Sequence, residues 1–258
     1  MKSIKYKSVP GMQEPDIQQV NYTTNIEDRD KWGIWNHSDR ANYQKSTENN
    51  IGQIGDIPEY KDRTKLANWI KKLSSDKGNK TFLEIGAWNG LGSTKCFVDT
   101  LSSRDDDYIF YSLECNYDKF CDVRELYKKY PQVHILNEVI NKGIPDDFNT
   151  IFPNINDTGK YQHQIDLDNI NKCNLFLDRT DIPEVFDVLL LDGGSFTTYW
   201  EYERLKDKCK YLLLDDSKSS KNAMIAKEIL GNKDEWEILE HWVENNGFMV
   251  IKNIKRGK

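Results

Sequence analysis

From residue 81 onward the chain alternates short apolar runs with amphipathic stretches, and that alternation narrows its folding options more than any other feature. TFLEIG (81–86), YIFYSLEC (108–115), VHILNEVI (133–140), VFDVLLLDGG (185–194) and KYLLLDD (210–216) have strand length and are rich in branched and aromatic residues. Helical patterns lie between them: STKCFVDTLSS with Ser93 or Thr94 near its N-cap, YDKFCDVRELYKKY (117–130), TTYWEYERLKDKC, and KNAMIAKEILGN ended by Gly231. Upstream, KDRTKLANWIKKLSS sets Leu66, Trp69, Ile70 and Leu73 on one apolar stripe, and Gly78-Asn79 stops it. Strands alternating with helices predict a doubly wound, mostly parallel α/β sheet covered on both faces. The nearly unbroken apolar run at 185–194 fits a strand buried on both sides. WEILEHWV and GFMVIKN flank Glu-Asn-Asn-Gly, which predicts a terminal hairpin with Gly247 at positive φ and one antiparallel strand. In such a sheet, ligands sit at the carboxyl ends of the strands.

Two stretches break the rhythm. Residues 1–60 are polar, with scattered aromatics and no lasting period, and are expected to form an irregular arm on the domain. The alternative is a lid, because WGIWNHSDR (32–40) gathers Trp, His, Asp and Arg in one loop. Residues 141–183, with Pro145, Pro153 and Pro183, exceed an ordinary loop and read as an insertion over the substrate side of a domain spanning 61–258. At 258 residues and 38% hydrophobic, the chain can bury a substantial core, and 7 Trp, 13 Tyr and 10 Phe argue against disorder despite a mean hydropathy of -0.76. A net charge of -6 argues against a nucleic-acid partner, which needs a concentrated basic face. No apolar run approaches a membrane span, and MKSIKYKSVPGMQ lacks the apolar core of a secretory signal. Five cysteines, none in C-x-x-C spacing, point to reduced thiols, so a cytoplasmic protein is expected.

The chemistry is sought first in Glu84-Ile-Gly86-Ala87-Trp-Asn-Gly90-Leu-Gly92-Ser93, where a strand ends and a helix begins. Glycines let backbone N–H groups approach a ligand, and a helix N-terminus favours a carboxylate or phosphate. The spacing is G-x-x-x-G-x-G rather than the dinucleotide G-x-G-x-x-G, and a tight βα turn alone would also use it. Glu114 ends the second strand 22 residues after Gly92, where nucleotide-binding α/β sheets place a carboxylate on the ribose diol. Asp192 and the pair Asp215-Asp216 follow two apolar strands expected to be neighbours. Three converging carboxylates would repel one another, and a hard divalent cation such as Mg²⁺ would relieve that; the alternative is that two of them only cap adjacent turns. Lys221 opens the next helix and could position an acceptor, whereas Asp166-Leu167-Asp168 is a D-x-D inside an Asn/Asp-rich stretch.

LEIGAWNGLGS, YSLE, LLLDGGSFTTYWEYERL, YLLLDDSKSSKN and NNGFMVIKN together resemble the class I S-adenosylmethionine-dependent methyltransferases over about residues 61–258. The LDGG and LDD segments are most similar to metal-dependent sugar and natural-product O-methyltransferases and, more distantly, to catechol O-methyltransferase. The resemblance implies a seven-stranded sheet with its last strand antiparallel. It implies a cofactor loop of Glu84, Gly86, Ala87, Gly90, Gly92 and Ser93, with Glu114 on the ribose. It also implies a divalent ion held by Asp192, Asp215 and Asp216. One departure is that Gly193, Gly194 and Ser195 stand where such relatives often carry a His or Asp base. Asp192, Lys221 and His37 are therefore the candidate catalytic residues, with Lys218 a further substitute. The expected activity is S-adenosylmethionine-dependent methylation of a small-molecule, sugar or glycan hydroxyl, with self-association into a homo-oligomer left open. The rivals are a nucleotide-sugar-dependent glycosyltransferase using Asp166 and Asp168, and a silent cofactor-binding module.

Overall fold

The computed structural model describes residues 61–142, 157–194, 196–219, 221–244 and 246–256. The arm at 1–60, with His37, and Ser195 lie outside the described residues. Among those described, the helices are α1 (Lys61–Ser75), α2 (Ser93–Leu101), α3 (Tyr117–Tyr127), α4 (Asp157–Ile170), α5 (Thr198–Leu205) and α6 (Ala223–Gly231). The strands are β1 (Thr81–Ile85), β2 (Ile109–Leu113), β3 (Val133–Leu136), β4 (Glu138–Val139), β5 (Asn174–Leu175), β6 (Phe186–Leu191), β7 (Cys209–Asp215), β8 (Trp236–Trp242) and β9 (Phe248–Asn253). The main sheet has seven strands in the order β3-β2-β1-β6-β7-β9-β8. All neighbours are parallel except β7 with β9 and β9 with β8, so the hairpin supplies the antiparallel edge expected of it.

Side chains along the central strands alternate between two cores. Val188 and Leu190 of β6, Leu213 of β7 and Val250 of β9 pack with Leu66, Ile70, Phe97, Leu101 and Val123 from α1, α2 and α3. Leu189, Leu191, Leu212, Leu214 and Ile251 pack on the other face with Tyr202, Leu205, Ile225 and Ile229 from α5 and α6. A strand with an apolar layer on each side has no polar face to show, which is why these segments read as continuous runs.

Two boundaries differ from the sequence reading. VHILNEVI is not one strand: at Asn137 the side-chain amide donates to the carbonyls of Glu114 (2.8 Å) and Cys115 (3.1 Å), ending the β2–β3 pairing. The chain then leaves the main sheet, and β4 pairs in parallel with β5. The stretch expected as an insertion carries α4, β5 and a 3₁₀ turn at Phe176–Asp178 on the way from edge strand β3 to β6. Phe176 is fully buried among Tyr111 and Phe186, which builds the 3₁₀ turn into the core.

Register between β1 and β6 is set at their starts. One oxygen of Asp187 accepts the N–H groups of Lys80 (2.7 Å) and Thr81 (3.0 Å), and the Thr81 hydroxyl accepts the Asp187 N–H (2.9 Å). These bonds extend β1 towards β6 by one residue before their ladder begins at Phe82 and Val188, and hydrogen bonds to a charged acceptor contribute about 1.5–3 kcal/mol. Asp187→Ala is expected to lower the unfolding free energy by about 2–3 kcal/mol. Urea unfolding of the two proteins measures it; a loss below about 0.5 kcal/mol, the range of ordinary surface changes, would show that the lock is incidental.

Candidate active site at the strand ends

The shared register brings four strand ends to one level. Ile85 pairs with Leu113 on one side and Leu191 on the other, and Leu191 pairs with Leu214. The residue following each of these is Gly86, Glu114, Asp192 or Asp215. Across the sheet they therefore read Glu114, Gly86, Asp192, Asp215, over three inter-strand steps of about 4.8 Å, or ~14 Å in all. The sheet order turns back between β1 and β6, which is where open α/β sheets form a crevice.

The glycine turn fills the middle of this row. Gly86 has φ +96°, and a Cβ there would stand 2.3 Å from the Asp192 carbonyl oxygen, so only glycine lets the β1 and β6 ends touch. Gly90, at φ +74°, packs so closely on α3 that a Cβ would meet Val123 at 2.8 Å. Gly92 precedes α2 without a side-chain cap, which leaves the first-turn N–H groups beside Ser93 facing the row. Ala87 is buried in the core under the turn. Glu84 lies one layer below the row and is fully buried. It accepts the hydroxyls of Ser112 and Thr94 (2.7 Å), and so braces the start of α2 against β2 rather than lining the surface. Burial pushes its carboxyl from 4.5 to about 7 against those hydroxyls.

Glu114 is 7% exposed. Its oxygens accept the N–H groups of Trp88 (2.7 Å) and Asn116 (2.8 Å), one each, so both keep a lone pair for another donor. Trp88 sits at φ +52°, a left-handed conformation that a bulky residue rarely adopts. Its indole is covered by the buried Lys119 ammonium of α3. Burial lowers Lys119 to about 8, with Glu114 opposing. Burial likewise raises Glu114, with Lys119 opposing.

Asp192, Asp215 and Asp216 gather at the other end, around a side chain. Lys221 donates to Asp192 Oδ1 and lies 3.6 Å from Asp216 Oδ2, and its side chain is 9% exposed. Burial works against its charge, but Asp192 and Asp216 overcome this and hold it above the ordinary lysine value. Asn222 Nδ2 donates to the carbonyls of Asp215 and Leu191 (3.3 Å), fixing the turn that carries Lys221 across both strand ends. The acids converge as expected, but the donor set does not fit a divalent ion, because an ammonium is seated among the carboxylates. Among the described residues no group of three or more His, Cys, Asp or Glu is arranged to hold a metal. Lys218 turns outward to the Val243 carbonyl (2.8 Å).

The D-x-D separates, as residues two apart on a helix must. Asp166 approaches the row: a Cβ on Gly194 would lie 3.0 Å from its Oδ2. Asp168 is exposed and accepts from Gln164 (2.9 Å). They cannot act as one pair of metal ligands, which removes the basis for the glycosyltransferase rival.

The sequence of this chain matches no protein-family model and no curated protein. Solved structures do match. The O-methyltransferase from Bacillus cereus in complex with SAH superposes with a TM-score of 0.51 at 12% identity, over 87% of this chain and 94% of that one. TomG from Streptomyces achromogenes, an O-methyltransferase involved in tomaymycin synthesis and solved with SAM, gives 0.50 at 10% identity, over 86% and 92%. This chain has the class I methyltransferase fold. At such identity the likeness is one of architecture.

Within that fold, one further buried acid escaped the sequence reading. Glu201 of α5 is 6% exposed, and its Oε2 has no hydrogen-bond partner among the described residues. A Cβ on Gly193 would stand 2.9 Å from that oxygen, so the glycine directly after Asp192 makes room for it. Burial raises Glu201 to about 7 and Asp166 to about 6. A single Glu in an amphipathic helix carries no mark of this; the only available signal was its place in the first turn of the helix that follows the β6 end.

Glu84 gives the site a pH signature. Between 4.5 and about 7 the folded chain keeps a proton on Glu84 that the unfolded chain has released, so its contribution to stability falls as pH rises through that window. Glu84→Gln does not titrate, and is expected to shrink the stability loss between pH 5 and pH 8 by up to about 3 kcal/mol. Denaturant unfolding at both pH values tests this. An equal loss in both proteins would place the proton elsewhere.

Proposed function

We propose that this chain is an S-adenosylmethionine-dependent O-methyltransferase acting on the hydroxyl of a small molecule, with a sugar or glycan as the acceptor class. The observation that carries the reading is the single row of Glu114, the glycine turn and Asp192 across the fold's switch point. Each part of the row suits one part of an adenosyl sulfonium ligand. Glu114 has a lone pair on each oxygen for a ribose diol. The uncapped start of α2 offers N–H groups to the amino-acid carboxylate. S-adenosylmethionine, when bound, supplies a methyl group on a positively charged sulfur.

The protein's part is then to hold an acceptor oxygen in line with that methyl group and to keep water out. Asp192 stands next to the glycine turn, on the side away from Glu114, and in this reading accepts a hydrogen bond from the acceptor hydroxyl. Lys221 balances its charge. The sugar preference rests on the LDGG and LDD segments, whose likeness is to sugar-modifying relatives. Among the described residues no helix is long and apolar enough to cross a membrane.

S-adenosylhomocysteine at 100 times its Kd is expected to stabilise the protein by ~2.7 kcal/mol. Glu114→Ala is expected to weaken its binding by roughly 10- to 100-fold, the loss of one or two charge-assisted bonds. Unfolding with and without the ligand measures the first, calorimetric titration the second, and formation of S-adenosylhomocysteine against a panel of sugar and phenolic hydroxyls measures turnover. Absence of binding by the wild-type chain sinks the reading. Tight binding without turnover on any acceptor would identify a silent binding module instead.

A further inference from the structure

The β6 and β7 ends bring three carboxylates together, and what they surround is part of the chain. Lys221 bonds to Asp192, lies 3.6 Å from Asp216, and also feels the charge of Asp215. Its position is prepared by the backbone on both sides. Asp216 takes φ +53° directly after β7, turning the chain sharply. The Lys221 N–H then donates to Ser219 Oγ (3.2 Å), and the fully buried Asn222 ties the turn to the ends of β6 and β7. An exposed lysine would sample many rotamers; this one is anchored at both ends.

We propose that Lys221 is a built-in cation standing where a divalent ion would otherwise bridge the β6 and β7 ends, so that the wild-type protein takes up no Mg²⁺ or Ca²⁺ there. An ammonium is a compact charge with three donors, enough to satisfy two or three carboxylates. A divalent ion needs about six oxygens at 2.0–2.6 Å. To enter, it would have to expel the ammonium or sit beside it, two positive charges sharing one poorly solvated site. Removing the lysine charge leaves three carboxylates without a counter-ion, the hard-oxygen donor set that such ions prefer. The inference concerns the charge balance of the site and holds whether or not methyl transfer is the reaction.

Calorimetric titration of the full 258-residue chain with Mg²⁺ and with Ca²⁺ tests it. Wild type is expected to show no saturable binding up to about 10 mM, beyond the weakest range of protein calcium sites. Lys221→Met is expected to gain one site tighter than about 1 mM. That site should vanish when Asp192→Asn is added, and Lys221→Arg, which keeps a cation, should not gain it. Saturable binding to wild type that Asp192→Asn abolishes overturns the proposal. So does a folded Lys221→Met protein that takes up neither ion. Should Lys221→Met fail to fold, Lys221→Gln replaces it. If neither neutral variant folds, the wild-type titration decides alone, binding overturning the proposal and its absence upholding it.

Discussion

The pairing of β1 with β6 governs everything along the row of strand ends. At one end Asp187 takes the N–H groups of Lys80 and Thr81; at the other, Gly86 touches the Asp192 carbonyl with no atom to spare. Side chains alternate across a strand, so a slip of one residue would turn Glu84 into the opposite layer and drive Leu83 or Ile85 into the hydroxyl pocket of Ser112 and Thr94. The same slip would move Asp192 off the level of Gly86 and Glu114. Register is thus the link between core packing and chemistry, and both ends of the two strands enforce it.

Charge is distributed unevenly along the row. Glu114, Asp166, Glu201, Asp192, Asp215 and Asp216 outnumber Lys119 and Lys221, yet each lysine is placed between acids rather than at the rim. The outcome is two electrostatic neighbourhoods. Near Glu114 the ammonium of Lys119 rests on the Trp88 indole and loses proton affinity, while near Asp192 the ammonium of Lys221 is locked and gains it. Identical side chains respond in opposite ways because the charges of Asp192, Asp216 and Asp215 together outweigh burial at Lys221, whereas at Lys119 burial outweighs Glu114.

Much of this was legible in the residues themselves. Continuous apolar runs announce strands with no solvent face, Gly247 announces the hairpin, and the G-x-x-x-G-x-G turn announces a strand end that must be approached closely. Register follows once those strands are aligned. What was hidden depends on side chains meeting across the fold. The role of Lys221 needs the Asn222 anchor and the turn at Asp216, neither of which has a spacing rule. Asn137 reads as an ordinary strand residue until its amide finds the carbonyls at the end of β2. Asp166 and Asp168 look alike in a string of letters, and only helix geometry sends one inward.

The turn of the terminal hairpin reaches back into the structure. Ser217 and Lys218 donate backbone N–H groups to the carbonyls of Gly247 (3.2 Å) and Asn246 (2.8 Å), so the two residues that follow Asp216 are held down by residues made about thirty positions later. During synthesis the glycine turn and its first acid emerge well before these partners exist. The acidic end of the row must wait for the closing ribbon, which makes it the youngest part of the site each time a molecule is born.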